Sequence, residues 1–104
     1  MLQTMDKYVK LAKEIVLKTV QDAPFQVFLF GSRAINSNNK FSDIDIGLLG
    51  ETPIPVMLKV EIENAIEESI VPYKVDIVDF YKVSEAFKKE ALRHIEIWKT
   101  ASVA

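Results

Sequence analysis

Acidic and aliphatic side chains alternate along residues 43–49, which read Asp43-Ile44-Asp45-Ile46-Gly47-Leu48-Leu49. A period of two is typical of a β-strand, in which successive side chains leave opposite faces of the sheet. The aliphatic residues predict one buried face, and the two aspartates leave the other face about 6.6 Å apart at Cα. Because two carboxylates at this spacing repel each other unless a cation lies between them, we expect this face to bind a hard divalent ion such as Mg²⁺.

The rest of the chain predicts further strands and helices. Apolar residues recur at helical spacing in some segments, and aromatic and β-branched residues cluster in others. The predicted elements are a helix over 3–22, a strand over 25–30, a loop over 31–42, a strand over 43–49, a loop over 50–55, a helix over 56–70, a strand over 73–78 and a helix over 83–99. Asp79 is expected to cap the last helix. This order predicts an α/β (α+β) fold, with a small mixed β-sheet and helices packed on one face.

Length and composition exclude several classes of protein. The 104 residues suit one domain spanning 1–104. A net charge of −2 argues against extensive nucleic-acid binding, and the absence of cysteine excludes disulfides and thiolate metal sites. No apolar run approaches the roughly 20 residues of a membrane span. We therefore expect a cytoplasmic protein with no membrane partner.

A glycine and a serine follow the strand over 25–30. Gly31 lets the backbone approach a ligand closely, and N–H groups at such a turn can bind phosphate oxygens. Ser32 adds a hydroxyl donor, and Arg33 can balance the charge of a triphosphate. These three residues predict a phosphate-binding site.

A third aspartate repeats the alternation of the second strand. Asp76 lies between Val75 and Ile77, so its side chain points away from the core that they enter. If this strand lies beside the one over 43–49, three carboxylates share one sheet face. Such a set suits two divalent ions about 3.5–4 Å apart that bind a phosphate between them.

Three motifs in this order resemble the minimal nucleotidyltransferases, a family of the DNA polymerase β-like nucleotidyltransferase superfamily. The motifs are Gly31-Ser32-Arg33-Ala34, Ser42-Asp43-Ile44-Asp45-Ile46-Gly47 and Val75-Asp76-Ile77-Val78. The resemblance covers about residues 25–80 and implies the palm-like fold of that family. Ile35-Asn36 follow the first motif where family members often have a glycine, a difference that concerns the shape of the loop and not the metal site.

The resemblance also implies an activity and a partner. A nucleoside monophosphate, AMP from ATP or from another nucleoside triphosphate, would be transferred to an acceptor hydroxyl. Asp43, Asp45 and Asp76 would be the catalytic residues and would bind two Mg²⁺ ions, and Gly31 and Ser32 would hold the β- and γ-phosphates. The acceptor would be a small helical protein of the HEPN family, to which this chain would be the antitoxin of a toxin–antitoxin pair.

Other interpretations remain open at this point. The chain can be a catalytically silent antitoxin that binds its partner and a nucleotide without transferring anything, or an enzyme that modifies a small molecule. A solvated acidic surface would account for the aspartates, a tight turn for Gly31-Ser32 and a surface ion pair for Arg33. Ser42 is expected to support the loop, Lys40 to face solvent and His94 to be a structural residue at the core edge of the last helix. Because a lone domain leaves its substrate half covered, we also expect a partner complex or a homo-oligomer.

Overall fold

The computed structural model describes residues 6–35 and 43–101. Within these segments the elements are α1 (Lys7–Val20), β1 (Gln26–Phe30), β2 (Ile44–Leu49), α2 (Val56–Glu67), β3 (Val75–Asp79), α3 (Glu85–Ala91) and β4 (Glu96–Lys99). A single 3₁₀ turn over Gly31–Arg33, called the Gly31 turn below, follows β1 directly. The predicted α/β fold with a small mixed sheet is confirmed.

The four strands form one sheet in the order β3-β2-β1-β4. Strand β1 is antiparallel to both of its neighbours, and β2 is parallel to β3. The parallel pair is joined through α2, as a parallel connection requires a crossover. In this topology the end of β1 and the starts of β2 and β3 lie at the same end of the sheet. The Gly31 turn, Asp45 of β2 and Asp76 of β3 are therefore brought together.

Helices α1 and α2 cover one face of the sheet and form the main core with it. The sheet contributes the residues that alternate with the acids, which confirms the buried face predicted from the sequence. The buried core side chains of these elements are Val9, Ala12, Val16 and Val20 of α1, Ile62 and Ile66 of α2, Val27 and Leu29 of β1, Ile44, Ile46 and Leu48 of β2, Ile77 of β3 and Trp98 of β4.

The opposite face of the sheet holds a cluster of phenylalanines. Phe28, Phe30 and Phe80 are buried there, and the ring of Phe80 lies 4.9 Å from that of Phe28 and 5.1 Å from that of Phe30 between centroids. Gly47 leaves room for them, because a Cβ at this position would come within 2.5 Å of the Phe28 ring. Ala91 of the short helix α3 packs against the same cluster. Thus α3 lies on the other side of the sheet from α1 and α2, and the prediction that the helices pack on one face holds for α1 and α2 but is wrong for α3.

The helix predicted over 83–99 is wrong in its second half. Helix α3 ends at Ala91, and the chain returns as β4 along the free edge of β1. Trp98 is buried in the core on the α1 side, whereas Ile97 is exposed. A helix was predicted here because the spacing of apolar residues from Phe87 to Trp98 also fits a helix. In the folded protein a strand is favoured because it pairs with the backbone N–H and C=O groups at the edge of β1.

Asp79 is not the cap of α3. Its carboxylate accepts hydrogen bonds from the N–H groups of Ile54 and Tyr81, both at 3.0 Å, and so fastens the loop before α2 to the end of β3. The cap is Ser84, whose hydroxyl accepts from the N–H of Phe87 at 3.1 Å. The prediction that Asp79 caps the last helix is wrong because a short turn separates Asp79 from the start of α3 at Glu85.

Candidate active site

Asp45 and Asp76 are direct neighbours across the parallel pair of strands. The register pairs Asp45 of β2 with Asp76 of β3, and pairs Ile44 with Val75 before them. Since paired residues of neighbouring strands project from the same face, both carboxylates lie on the face opposite α1 and α2. Asp43 is exposed immediately before β2.

The Gly31 turn closes the site on the side of β1. Phe30 pairs with Asp45 across the antiparallel strands, so the turn begins beside that aspartate. Gly31 has a φ of +76°, a left-handed conformation that side chains with a Cβ rarely adopt. A Cβ at this position would overlap the Oδ2 atom of Asp45. Only glycine therefore allows the turn to lie against the carboxylate.

The environment of Asp45 disfavours its charged form. Burial raises the pKa of this carboxyl above its ordinary value, and the neighbouring charges of Asp76 and Asp43 raise it further, while Lys74 lowers it. The ammonium of Lys74 lies 3.9 Å from Oδ1 of Asp76, and both side chains are solvent-accessible. The site therefore holds more negative charge than its own lysine balances, which is the electrostatic condition that a bound cation relieves.

Arg33 lies at the end of the Gly31 turn, above an aromatic ring. Its guanidinium is 4.3 Å from the centroid of the Tyr73 ring, a cation–π distance. The hydroxyl of Tyr73 donates to Asp6 at 3.4 Å, and Asp6 caps α1. Arg33 is thereby connected to the start of β3 and to the start of α1.

The predicted ligand set suits Mg²⁺ by the chemistry of its donor atoms. The donors are carboxylate oxygens, which this ion prefers, and Asp76 remains accessible from solvent on the edge strand β3. In the segments that the structure describes, no three acidic, histidine or cysteine side chains converge closely enough to enclose an ion as they stand. The structure thus shows the pairing of Asp45 with Asp76, and the metal-binding roles of all three aspartates remain a prediction.

The remaining predicted residues fall into different places. Ser32 lies in the Gly31 turn next to the site. His94 is exposed in the bend between α3 and β4, not at the core edge of a helix. Lys40 and Ser42 lie outside the described residues. Sequence reasoning missed Lys74 beside the acids, although its spacing of two residues from Asp76 places both on one face of the strand.

The sequence of this chain is similar to those of known proteins. Residues 8–101 match the family described as "Polymerase beta, Nucleotidyltransferase". A protein of Haemophilus influenzae (strain ATCC 51907 / DSM 11121 / KW20 / Rd), described as "Probable protein adenylyltransferase MntA", is 31% identical over 87 residues, which is 84% of this chain and 74% of that protein.

Two solved structures show the same fold. One is a crystal structure of a toxin–antitoxin with AMP-PNP, which superposes with a TM-score of 0.67 at 20% identity over 86% of this chain and 74% of that one. The other is a tri-AMPylated HEPN toxin of Shewanella oneidensis in complex with its MNT antitoxin, with a TM-score of 0.62 at 20% identity over 88% of this chain and 72% of that one.

The fold and the family match define a nucleotidyltransferase. This chain belongs to the polymerase β nucleotidyltransferase family and is a homologue of MntA, as its resemblance to the minimal nucleotidyltransferases indicated. Over residues 6–35 and 43–101, no helix has the length and apolar character needed to cross a membrane.

Proposed function

We propose that this chain transfers AMP from ATP to a hydroxyl group of a small HEPN-type protein, and that it is the antitoxin of that toxin. The relationship to MntA and to an MNT antitoxin bound to an AMPylated HEPN toxin supports this choice of donor and acceptor. The fold similarity to a toxin–antitoxin with AMP-PNP supports the use of a nucleoside triphosphate. The acceptor oxygen forms a bond to the α-phosphorus of ATP, the bond from that phosphorus to the bridging oxygen of the β-phosphate breaks, and pyrophosphate leaves while the hydroxyl proton passes to solvent. We place this reaction in the cytoplasm.

One observation carries the proposal: Asp45 is paired with Asp76 on one side and touches the Gly31 turn on the other. A ligand that binds both the turn and the acids must present phosphate oxygens to N–H groups and to cations at once. The first N–H groups of a 3₁₀ turn have no acceptor within the turn, so those of the Gly31 turn are suited to bind the β- and γ-phosphates. The hydroxyl of Ser32 adds a further donor.

The acids have distinct positions in the proposed reaction. Asp43 and Asp45 would hold two Mg²⁺ ions, and Asp76 would complete one of these sites. Bound Mg²⁺ supplies charge neutralisation on the triphosphate and lowers the pKa of a coordinated hydroxyl. Because β3 is an edge strand, an acceptor hydroxyl can approach Asp76 from the open side of the sheet. The residues of the chain thus act by binding and aligning the two reactants.

Label transfer tests the proposal. The chain is incubated with ATP labelled at the α-phosphate, Mg²⁺ and a purified HEPN-type protein, and the proteins are separated under denaturing conditions. We expect label on the HEPN-type protein, and a loss of labelling with Asp43→Asn. Asp22→Asn is the matched control, because Asp22 is an exposed aspartate before β1, at the opposite end of that strand from the site.

The same proteins distinguish the silent antitoxin. Neutralisation of toxin activity is measured in cells that express the Asp43→Ala/Asp45→Ala double variant. Transfer requires that neutralisation be lost together with labelling. An unlabelled partner whose toxicity is still neutralised by the double variant would mean that the chain acts by binding alone.

A further inference from the structure

A cavity opens between the Gly31 turn and α3, next to the acids. Its volume is about 320 Å³, within the range of small-ligand pockets, and Phe30, Gly31 and Phe87 contribute to its wall. Gly31 therefore belongs both to this wall and to the contact with Asp45. A ligand whose phosphates lie at the turn can extend into the cavity without leaving the protein surface.

The wall of the cavity combines exposed apolar groups with two polar side chains. Phe87 and Ile35 are 44% and 57% exposed, although neither is charged or polar. The Phe87 ring is fixed edge-on against Phe30, with centroids 6.2 Å apart and planes at 85°. Glu90 and His94 lie at the same cavity and can accept or donate hydrogen bonds. A flat ligand with apolar faces and a polar edge matches this arrangement.

We propose that this cavity binds the purine base of the nucleotide substrate, with Phe87 and Ile35 against its faces and Glu90 and His94 near its edge. The inference rests on the proposed use of ATP and adds the part of the protein that recognises its base. A purine offers a larger stacking surface than a pyrimidine. The exocyclic amino group of adenine can donate a hydrogen bond to the Glu90 carboxylate. The ring of an acceptor side chain from the partner protein is the competing occupant.

Equilibrium binding without any acceptor tests the proposal. Affinities for AMP-PNP and for inorganic tripolyphosphate are measured with Mg²⁺, so that the contribution of the base is separated from that of the phosphates. We expect Ile35→Ala and Phe87→Ala to weaken AMP-PNP binding about five- to a hundredfold and to leave tripolyphosphate binding unchanged. Pyrimidine triphosphates are expected to bind more weakly than AMP-PNP to the wild type.

Matched variants control for effects on folding. Ile70 and Tyr81 are exposed apolar residues outside the cavity wall, and Ile70→Ala and Tyr81→Ala are expected to bind both ligands as the wild type does. Because Phe87 also packs against buried rings, Ile35→Ala is the variant that tests the cavity with the least effect on the core.

Three results would overturn the inference. They are an equal loss of AMP-PNP and tripolyphosphate affinity, wild-type binding of AMP-PNP by both cavity variants, and weakened binding of the HEPN-type protein with nucleotide binding intact. The last result would assign the cavity to the partner. This binding measurement is separate from the label-transfer measurement that tests the proposed function. Binding that depends on the base, without transfer of label, would refute the proposed function alone. Transfer of label together with binding that does not depend on the base would refute this inference alone.

Discussion

The backbone of Gly31 lies directly against the carboxylate of Asp45, with no room for a side chain between them. This contact couples the turn at the end of β1 to the acidic strand β2. Two separate requirements therefore meet at Gly31. The turn needs a left-handed backbone conformation at this residue, and the carboxylate of Asp45 occupies the space that a Cβ would fill. A single substitution of Gly31 therefore tests both requirements.

Gly31→Ala is expected to destabilise the protein and to remove its activity. The left-handed conformation alone costs about 1–2 kcal/mol for a residue with a Cβ, and the overlap with Asp45 adds to it. Urea unfolding measures the loss of stability, and label transfer measures the activity. In a double-mutant cycle, Asp45→Ala should recover part of the stability lost in Gly31→Ala. Purely additive effects would show that the two residues do not meet.

The pKa of Asp45 predicts how stability depends on pH in the presence of a chelator. Burial, then Asp76 and then Asp43 raise this pKa in the folded protein above its ordinary value of 3.8. The folded protein thus keeps a proton that the unfolded chain has already lost, and the contribution of this group to stability falls as pH rises from near 3.8 through the raised pKa.

Asp45→Asn removes this effect, so the variant should be more stable than the wild type near pH 7 without metal. The difference should shrink as the pH falls toward about 4, because the wild-type carboxyl becomes neutral as well. Urea unfolding in chelator at several pH values measures it. Asp22→Asn should give no comparable gain, and an Asp45→Asn variant that is less stable at neutral pH would contradict the electrostatic description.

Tyr73 is expected to position Arg33. Tyr73→Phe retains a ring below the guanidinium, whereas Tyr73→Leu removes the cation–π contact, which is worth about 0.5–1 kcal/mol at an exposed site. We therefore expect Tyr73→Leu and Arg33→Ala to raise the KM for ATP about two- to fivefold or more, and Tyr73→Phe to remain near the wild type. Unchanged KM values in both of the first two variants would leave Arg33 with a structural role alone.

Ser84, which caps α3, and Asp79, which does not, are expected to differ in their contribution to stability. Ser84→Ala removes one helix cap and should cost about 1 kcal/mol. Asp79→Ala removes the acceptor of two N–H groups that join β3 to the loop before α2, and should cost about 2 kcal/mol or more. Chemical denaturation of both variants provides the comparison. A larger loss for Ser84→Ala would contradict the assignment of these hydrogen bonds.

Much of the fold was predictable because polar and aliphatic residues that alternate along a segment indicate a strand with one buried face. Alternation around Asp45 and around Asp76 indicates which side chains enter the core, and the structure buries Ile44, Ile46 and Ile77 fully and Val75 in part. The last strand was not predictable in this way. The segment 95–99 has too few residues to distinguish a strand from a helical continuation, and its conformation depends on pairing with β1, which lies far away in sequence.

Part of the site follows from short motifs in the sequence, and part depends on contacts between residues that are far apart in the chain. The spacing from Asp43 to Asp45 and the Gly31-Ser32 pair are visible in the sequence, because both lie within short motifs. The register that places Asp76 beside Asp45 depends on strand order, and the cavity beside Phe87 depends on how α3 crosses the sheet. Neither has a sequence period of its own, so base recognition was beyond sequence analysis.

Cysteine substitutions test most directly whether Asp45 and Asp76 bind the metal of the reaction. The natural chain has no cysteine, so Asp45→Cys and Asp76→Cys each introduce a single thiol. Because thiolates prefer softer ions than Mg²⁺, we expect label transfer to the HEPN-type protein to fall about a hundredfold or more with Mg²⁺ and to recover in part with Zn²⁺ or Cd²⁺. Asp22→Cys should transfer as the wild type does. Wild-type transfer by Asp45→Cys or Asp76→Cys with Mg²⁺ would contradict the assignment of these carboxylates as its ligands.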